Sequence, residues 1–136
     1  MATGRCLCGN VTFVATEVDR HIHACHCAIC RSWSGAPALS AEVGGVTFSG
    51  TQYIKRYSSS EWAERGFCTQ CGSNLFYHLK GTDRYIMCCG AFDDAEQFTL
   101  TGEIYIDEKP QGYNFAGDHP RMTGAEFMAS IADGEA

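Results

Sequence analysis

Phe67-Cys68-Thr69-Gln70-Cys71-Gly72-Ser73-Asn74-Leu75-Phe76-Tyr77-His78-Leu79 carries two cysteines two residues apart, a glycine directly behind them, and then a run rich in strand formers. The two-residue spacer lets both thiolates reach one ion, and the glycine allows the positive φ that closes such a knuckle. Leu75–Leu79 reads as a β-strand by composition. Near the N-terminus Cys6-Leu7-Cys8-Gly9 repeats the theme in front of Val11–Ala15. Each pair leads into a strand, so each can lie on a tight turn with backbone amides aimed at the sulfurs. Brought together, Cys6, Cys8, Cys68 and Cys71 make a four-cysteine tetrahedral set that suits zinc; such a set has no open position and is structural. The ion would pin the N-terminal strand to the middle of the chain. The alternative is two unrelated buried pairs.

Outward from these turns the pattern is mainly β. Val11–Ala15, Val46–Phe48, Tyr53–Tyr57, Leu75–Leu79, Tyr85–Cys89 and Glu103–Ile106 are six short strand-like segments bounded by turn signals such as Gly9-Asn10, Gly44-Gly45 and Ser49-Gly50. Lys80–Asp83 reads as a hairpin turn. Thr123-Gly-Ala-Glu126 fits a capping box, so the tail 120–136 can form a short helix. No repeat, linker or low-complexity run divides the chain, and 136 residues fit a single domain spanning 1–136. The expectation is one domain of small antiparallel sheets.

Cys25-x-Cys27-x-x-Cys30 is a different object. Three thiols in six residues can converge on one ion from one loop, and three protein ligands with a free fourth position is the catalytic arrangement of zinc. His21, His23 and His26 flank the cluster. Any of them could close it as a fourth ligand; for His23 and His26 the reading favoured is a solvent-facing loop histidine. The spacing does not match the ferredoxin runs, which disfavours an iron–sulfur cluster. Cys88 and Cys89, adjacent on a strand, point to opposite faces and read as small hydrophobes rather than redox groups.

Composition narrows the function classes. The hydrophobic fraction of 45% is enough for a core, so disorder is excluded. Ten basic against sixteen acidic residues leave a net charge of −6, and no basic excess serves nucleic acid. Seven ligand thiolates against two dications would make the loaded chain more acidic still. No window approaches 18 apolar residues, so no membrane span is expected. Met1–Cys6 runs straight into patterned sequence without an apolar leader, which points to the cytoplasm, where nine cysteines read as metal ligands before disulfides.

Three blocks together, Gly4-Arg-Cys6-Leu-Cys8-Gly9-Asn-Val11, Cys25-His-Cys27-Ala-Ile-Cys30-Arg31-Ser-Trp-Ser-Gly35-Ala-Pro37 and Arg65-Gly-Phe67-Cys68-Thr-Gln-Cys71-Gly72-Ser73-Asn-Leu75, resemble the glutathione-dependent formaldehyde-activating enzyme family, also called the centromere protein V family. The resemblance covers roughly residues 4–110. It implies an Mss4-like β fold around a structural zinc held by Cys6, Cys8, Cys68 and Cys71, and a second, catalytic zinc on Cys25, Cys27 and Cys30, hence two Zn²⁺ per chain. It implies a carbon–sulfur lyase of the S-(hydroxymethyl)glutathione synthase type, with glutathione and formaldehyde, or a related thiol and electrophile, as reactants. The sequence departs from the family pattern at Lys109–Phe115, which has no Trp.

On that reading the loop after the cluster shapes the cleft. Arg31 is placed to pair with a substrate carboxylate and Trp33 to cover the apolar part of the substrate. The competing reading is a non-catalytic zinc module, either a thiol carrier or a protein-interaction domain, with a histidine closing the second site. Small β domains often pair through an edge strand, which leaves a homodimer open.

Overall fold

The computed structural model describes residues 1–134, so Glu135 and Ala136 of the expected tail helix lie outside the described residues. In chain order the elements are β1 (Ala2–Arg5), β2 (Thr12–Val18), β3 (His21–Cys25), α1 (Ala28–Ser34), β4 (Ala38–Ser49), β5 (Ile54–Ser58), β6 (Ala63–Cys68), β7 (Asn74–Leu79), β8 (Tyr85–Cys88), β9 (Thr99–Ile104), β10 (Arg121–Met122) and α2 (Gly124–Gly134). Strand accounts for 44% and helix for 21%, so the mainly-β expectation holds. The elements gather into two compact units, one of residues 1–21 and 40–99, the other of residues 22–39 and 100–134.

In the first unit the strand order is β1-β2-β4-β8-β7-β6-β5, antiparallel throughout. β2 alternates exposed and buried positions, whereas β7 buries the adjacent Leu75 and Phe76, which point to opposite faces. Phe13, Leu75, Phe76 and Met87 are fully buried in this unit, and each contributes about 1.5–3 kcal/mol by leaving water. Phe13 meets Phe92 edge-on at 5.2 Å, and Phe76 meets Tyr85 at 4.9 Å. The β7–β8 turn closes at Leu79 and Arg84, with Gly81 at φ 77°.

Two strands here escaped the sequence. β1 is short and carries Gly4. β6 carries Gly66, which reads as a strand breaker. The ring of Phe76 crosses that position so closely that a Cβ would lie 2.2 Å from its Cζ, so the glycine is what lets β6 lie over β7. A register shift follows between Gly66 and Phe67, just before the Cys68 turn. β8 ends at Cys88, and Cys89 begins a 3-10 turn, so the two cysteines are not strand neighbours as expected.

In the second unit β9 lies between β3 and β10. β10 pairs parallel to β9, with Arg121 opposite Glu103, the one departure from antiparallel pairing among the described registers. β3 replaces the histidine-bearing loop that the sequence suggests; its His-Ile-His-Ala-Cys run alternates exposed and buried positions as a strand does. α1 was not expected either. Cys27 serves as its N-cap, its Sγ accepting from the Cys30 N–H, and Gly35 at φ 78° ends it. α2 starts on its capping box: the Glu126 N–H donates to Thr123 Oγ1 at 3.1 Å and the Thr123 N–H to Glu126 Oε1 at 2.8 Å. No helix among the described residues is long and apolar enough to cross a membrane.

Candidate metal centres

The first unit brings Cys6, Cys8, Cys68 and Cys71 together, with all four sulfurs within 4.8 Å of one another. The Cys6–Cys8 and Cys8–Cys68 sulfurs are 3.6 and 3.8 Å apart. A tetrahedron with Zn–S bonds of about 2.3 Å has edges of about 3.8 Å. A disulfide needs about 2.05 Å, so these are free thiols grouped as ligands. Both turns aim amides at sulfur. Val11 N–H donates to Cys6 Sγ and Gln70 N–H to Cys68 Sγ, each at 3.3 Å. Gly9 and Gly72, at φ 81° and 75°, close the two turns by donating to the carbonyls of Cys6 and Cys68.

Ser73 ties the turns to each other. Its hydroxyl accepts from the Leu7 N–H at 2.9 Å and sits 3.2 Å from Cys71 Sγ. Hydrogen bonds from the Ser73 side chain and backbone draw the Cys71 thiol down to about 5. Asn10 N–H pulls Cys8 the same way, but desolvation and the neighbouring sulfurs outweigh it and hold Cys8 up to about 11. Crowded thiols cannot all ionise without a cation among them. The donor set, its spacing and its amide cradle all fit a divalent metal such as zinc.

The second unit brings Cys25, Cys27 and Cys30 within the same reach of one another. The neighbouring sulfurs and burial push the Cys25 thiol up. Hydrogen bonds from Cys25 and Cys30 pull Cys27 down against its desolvation, helped by the Cys30 and Ile29 amides of α1. The split again describes donors that a cation would equalise.

None of the three histidines considered as a fourth ligand joins this group among the described residues. His21 and His23 are exposed on β3. His26 is fully buried, contrary to the solvent-facing expectation, and its ring is occupied on both sides. Nε2 meets Glu103 Oε1 at 2.7 Å and Nδ1 meets the Tyr113 hydroxyl at 2.9 Å. Burial would raise the Glu103 carboxyl, but bonds from His119, His26 and Arg121 hold it below the usual carboxylate range. The ionised carboxylate accepts, so Nε2 carries the proton and Nδ1 accepts from Tyr113.

The Cys25–Cys30 loop is held by its surroundings. The His26 N–H donates to Ile104 O at 3.1 Å, Ala28 N–H to Glu108 Oε1 at 2.9 Å, and Arg31 Nε to His26 O at 2.9 Å. Arg31 thus spends its Nε on the loop, and Trp33 is half-buried on α1. Glu103 is the hub. Its Oε2 also accepts from His119 Nε2 at 2.6 Å and from Arg121 Nε at 2.8 Å. Sequence reasoning missed Glu103, Tyr113 and Glu108, because each meets the loop across some eighty residues of chain. A Glu alternating with apolar residues in a buried strand was the one available signal.

Residues 1–108 match the family described as glutathione-dependent formaldehyde-activating enzyme. The chain is 32% identical over 130 residues to a Schizosaccharomyces pombe protein described as an uncharacterized lyase, covering 94% of this chain and 95% of that one. Its fold resembles a crystal structure of a Rhodobacter sphaeroides protein at 18% identity, with a TM-score of 0.57 over 88% of this chain and 98% of that one.

Proposed function

The chain belongs to the glutathione-dependent formaldehyde-activating enzyme family, and from that premise we propose that it is a zinc-dependent carbon–sulfur lyase that joins a thiol such as glutathione to formaldehyde or a related small electrophile. In this reading Cys6, Cys8, Cys68 and Cys71 hold a structural zinc and Cys25, Cys27 and Cys30 a catalytic one. The observation that carries it is the engagement of His26 by Glu103 and Tyr113, which leaves three thiol ligands and no adjacent histidine to complete the set. When bound there, a zinc with three protein ligands supplies an open position and lowers the pKa of an entering thiol.

The chain's own residues do the rest. Glu103, through His26, and Glu108, through Ala28, keep the three sulfurs in register before any substrate arrives. Cys27, at the start of α1, accepts from the Cys30 amide, which fixes its sulfur on the loop. Arg31 leaves its terminal nitrogens for a substrate carboxylate, and Trp33 on the same helix covers the thiol's apolar stem.

Titrating the zinc-loaded protein with glutathione, with X-ray absorption counting sulfurs at the metal, tests the reading. The mean count should rise as one centre goes from three sulfurs to four. A count unmoved by thiol refutes both the enzyme and a thiol carrier. A fourth-sulfur signal without any acceleration of adduct formation leaves only the carrier.

A further inference from the structure

Tyr105 is the one non-glycine with positive φ among the described residues, at φ 57° and ψ 43°. A tyrosine in that region costs about 1–2 kcal/mol, so the surrounding structure must hold it there. Ile104, directly before it, takes the His26 N–H, and Glu108, three residues on, takes the Ala28 N–H. Both flanks of Tyr105 are therefore bonded to the loop that carries Cys25, Cys27 and Cys30.

The ring is fixed from behind by α2. A Cβ on Gly124 would lie 2.4 Å from Tyr105 Cε1, so only glycine admits the ring, and Phe127 packs at 6.1 Å between centroids. The Gly124 N–H donates to Asp107 Oδ1 at 2.9 Å, which locks the helix start onto the same turn. Neither the three-cysteine set nor the His26–Glu103–Tyr113 chain uses the Tyr105 hydroxyl. Burial, and after it the Cys27 and Cys25 charges, raises the phenol above its ordinary value, so the hydroxyl is a protonated donor on a turn bonded to that loop.

We propose that Tyr105 is a further catalytic residue of the Cys25–Cys27–Cys30 centre, donating a hydrogen bond to the aldehyde oxygen as the thiol adds. The inference rests on the thiol–aldehyde reading above. In the step the thiolate pair forms the S–C bond, the carbonyl π pair moves onto oxygen, and that oxygen takes up a proton equal to the one the thiol released. Tyr105 supplies the hydrogen bond where charge gathers and is unchanged at the end. Gly124 is a positioning residue that acts through the ring.

The test compares the zinc-loaded protein with its Tyr105→Phe and Gly124→Ala variants. Tyr105→Phe keeps ring and packing, so zinc content and melting temperature should stay. Adduct formation above the spontaneous rate, read by NMR exchange between glutathione and formaldehyde, should fall about 100-fold in kcat with KM for glutathione unmoved. Gly124→Ala, in a helix that should gain from alanine, should lower kcat the same way. A second readout does not need turnover. Calorimetry should show the wild type binding S-(hydroxymethyl)glutathione, kept formed by excess formaldehyde, about fivefold more tightly than Tyr105→Phe does, with glutathione alone bound equally. Equal adduct affinity in the two proteins overturns the role of Tyr105. So does equal kcat in a wild type that accelerates the reaction. A wild type that accelerates nothing refutes the enzyme reading, and the adduct affinities then still decide Tyr105.

Discussion

Replacing Glu103 with Gln should destabilise the second unit by about 3–5 kcal/mol, the cost of breaking a buried charge-paired network by removing one partner. The carboxylate side chain is 1% exposed and accepts at 2.7 Å from His26, 2.6 Å from His119 and 2.8 Å from Arg121. Gln keeps the shape but offers one acceptor oxygen and an NH2 group that can only donate. Whichever way its amide lies, an N–H faces either His26 Nε2 or the pair from His119 and Arg121. For a chain of this length the loss corresponds to roughly 10–20 °C in Tm. It should be measured on the zinc-loaded protein by calorimetry, with hydrogen exchange locating the loosening in 22–39 and 100–134. The pH dependence carries a sign. Because the native carboxyl titrates below its usual value, its stabilisation is present above that usual value and is lost as pH falls through the native one. Wild type should therefore lose its advantage over Glu103→Gln progressively below about pH 4.5. A neutral-pH loss under about 1 kcal/mol, or a difference that does not shrink in acid, refutes the hub.

Cys71→Ser should remove one of two metals and lower exchange protection in 1–21 and 40–99, whereas Cys27→Ser should remove the other and loosen 22–39 and 100–134; metal analysis with exchange mass spectrometry reads both. Gly66→Ala should cost about 1–3 kcal/mol in denaturant unfolding, because its Cβ would meet the Phe76 ring at 2.2 Å; a neutral result would mean that the β6–β7 bulge relaxes freely. Cys89, pushed up to about 12 by burial and then by the charge of Cys88, should resist iodoacetamide at pH 8 under native conditions. Rapid alkylation would reopen the redox reading of the pair.

What was legible in the sequence follows from range. Cys68-x-x-Cys71-Gly72 announces its turn within five residues, because the spacer and the positive-φ glycine are local requirements. The pairing of that turn with Cys6-x-Cys8 could be inferred because a tetrahedral ion needs four sulfurs. Strands of dense β-branched or aromatic residues were equally local. β6 was not, since Gly66 makes sense only once the Phe76 ring is known to cross it. α1 hid because its N-cap is a cysteine that the metal reading had already claimed. His26 reads as solvent-facing because its partners Glu103 and Tyr113 come from the far end of the chain, and nothing near it in sequence predicts a buried imidazole.

That misreading bears on the chemistry. A histidine between two cysteines invites a four-ligand site, and on spacing alone the second centre could have been as closed as the first. In the proposed reading, what separates them is the carboxylate on β9. By engaging Nε2, Glu103 fixes the tautomer that turns Nδ1 toward Tyr113, so the imidazole braces the loop from within and is withheld from the sulfurs. Tyr113, His119 and Arg121 all lie beyond residue 108, where the family match ends. His26 and Glu103 lie within that match, so the brace joins the matched region to the C-terminal segment, and sequence changes in that segment should act on the Cys25–Cys30 loop through Glu103 and His26.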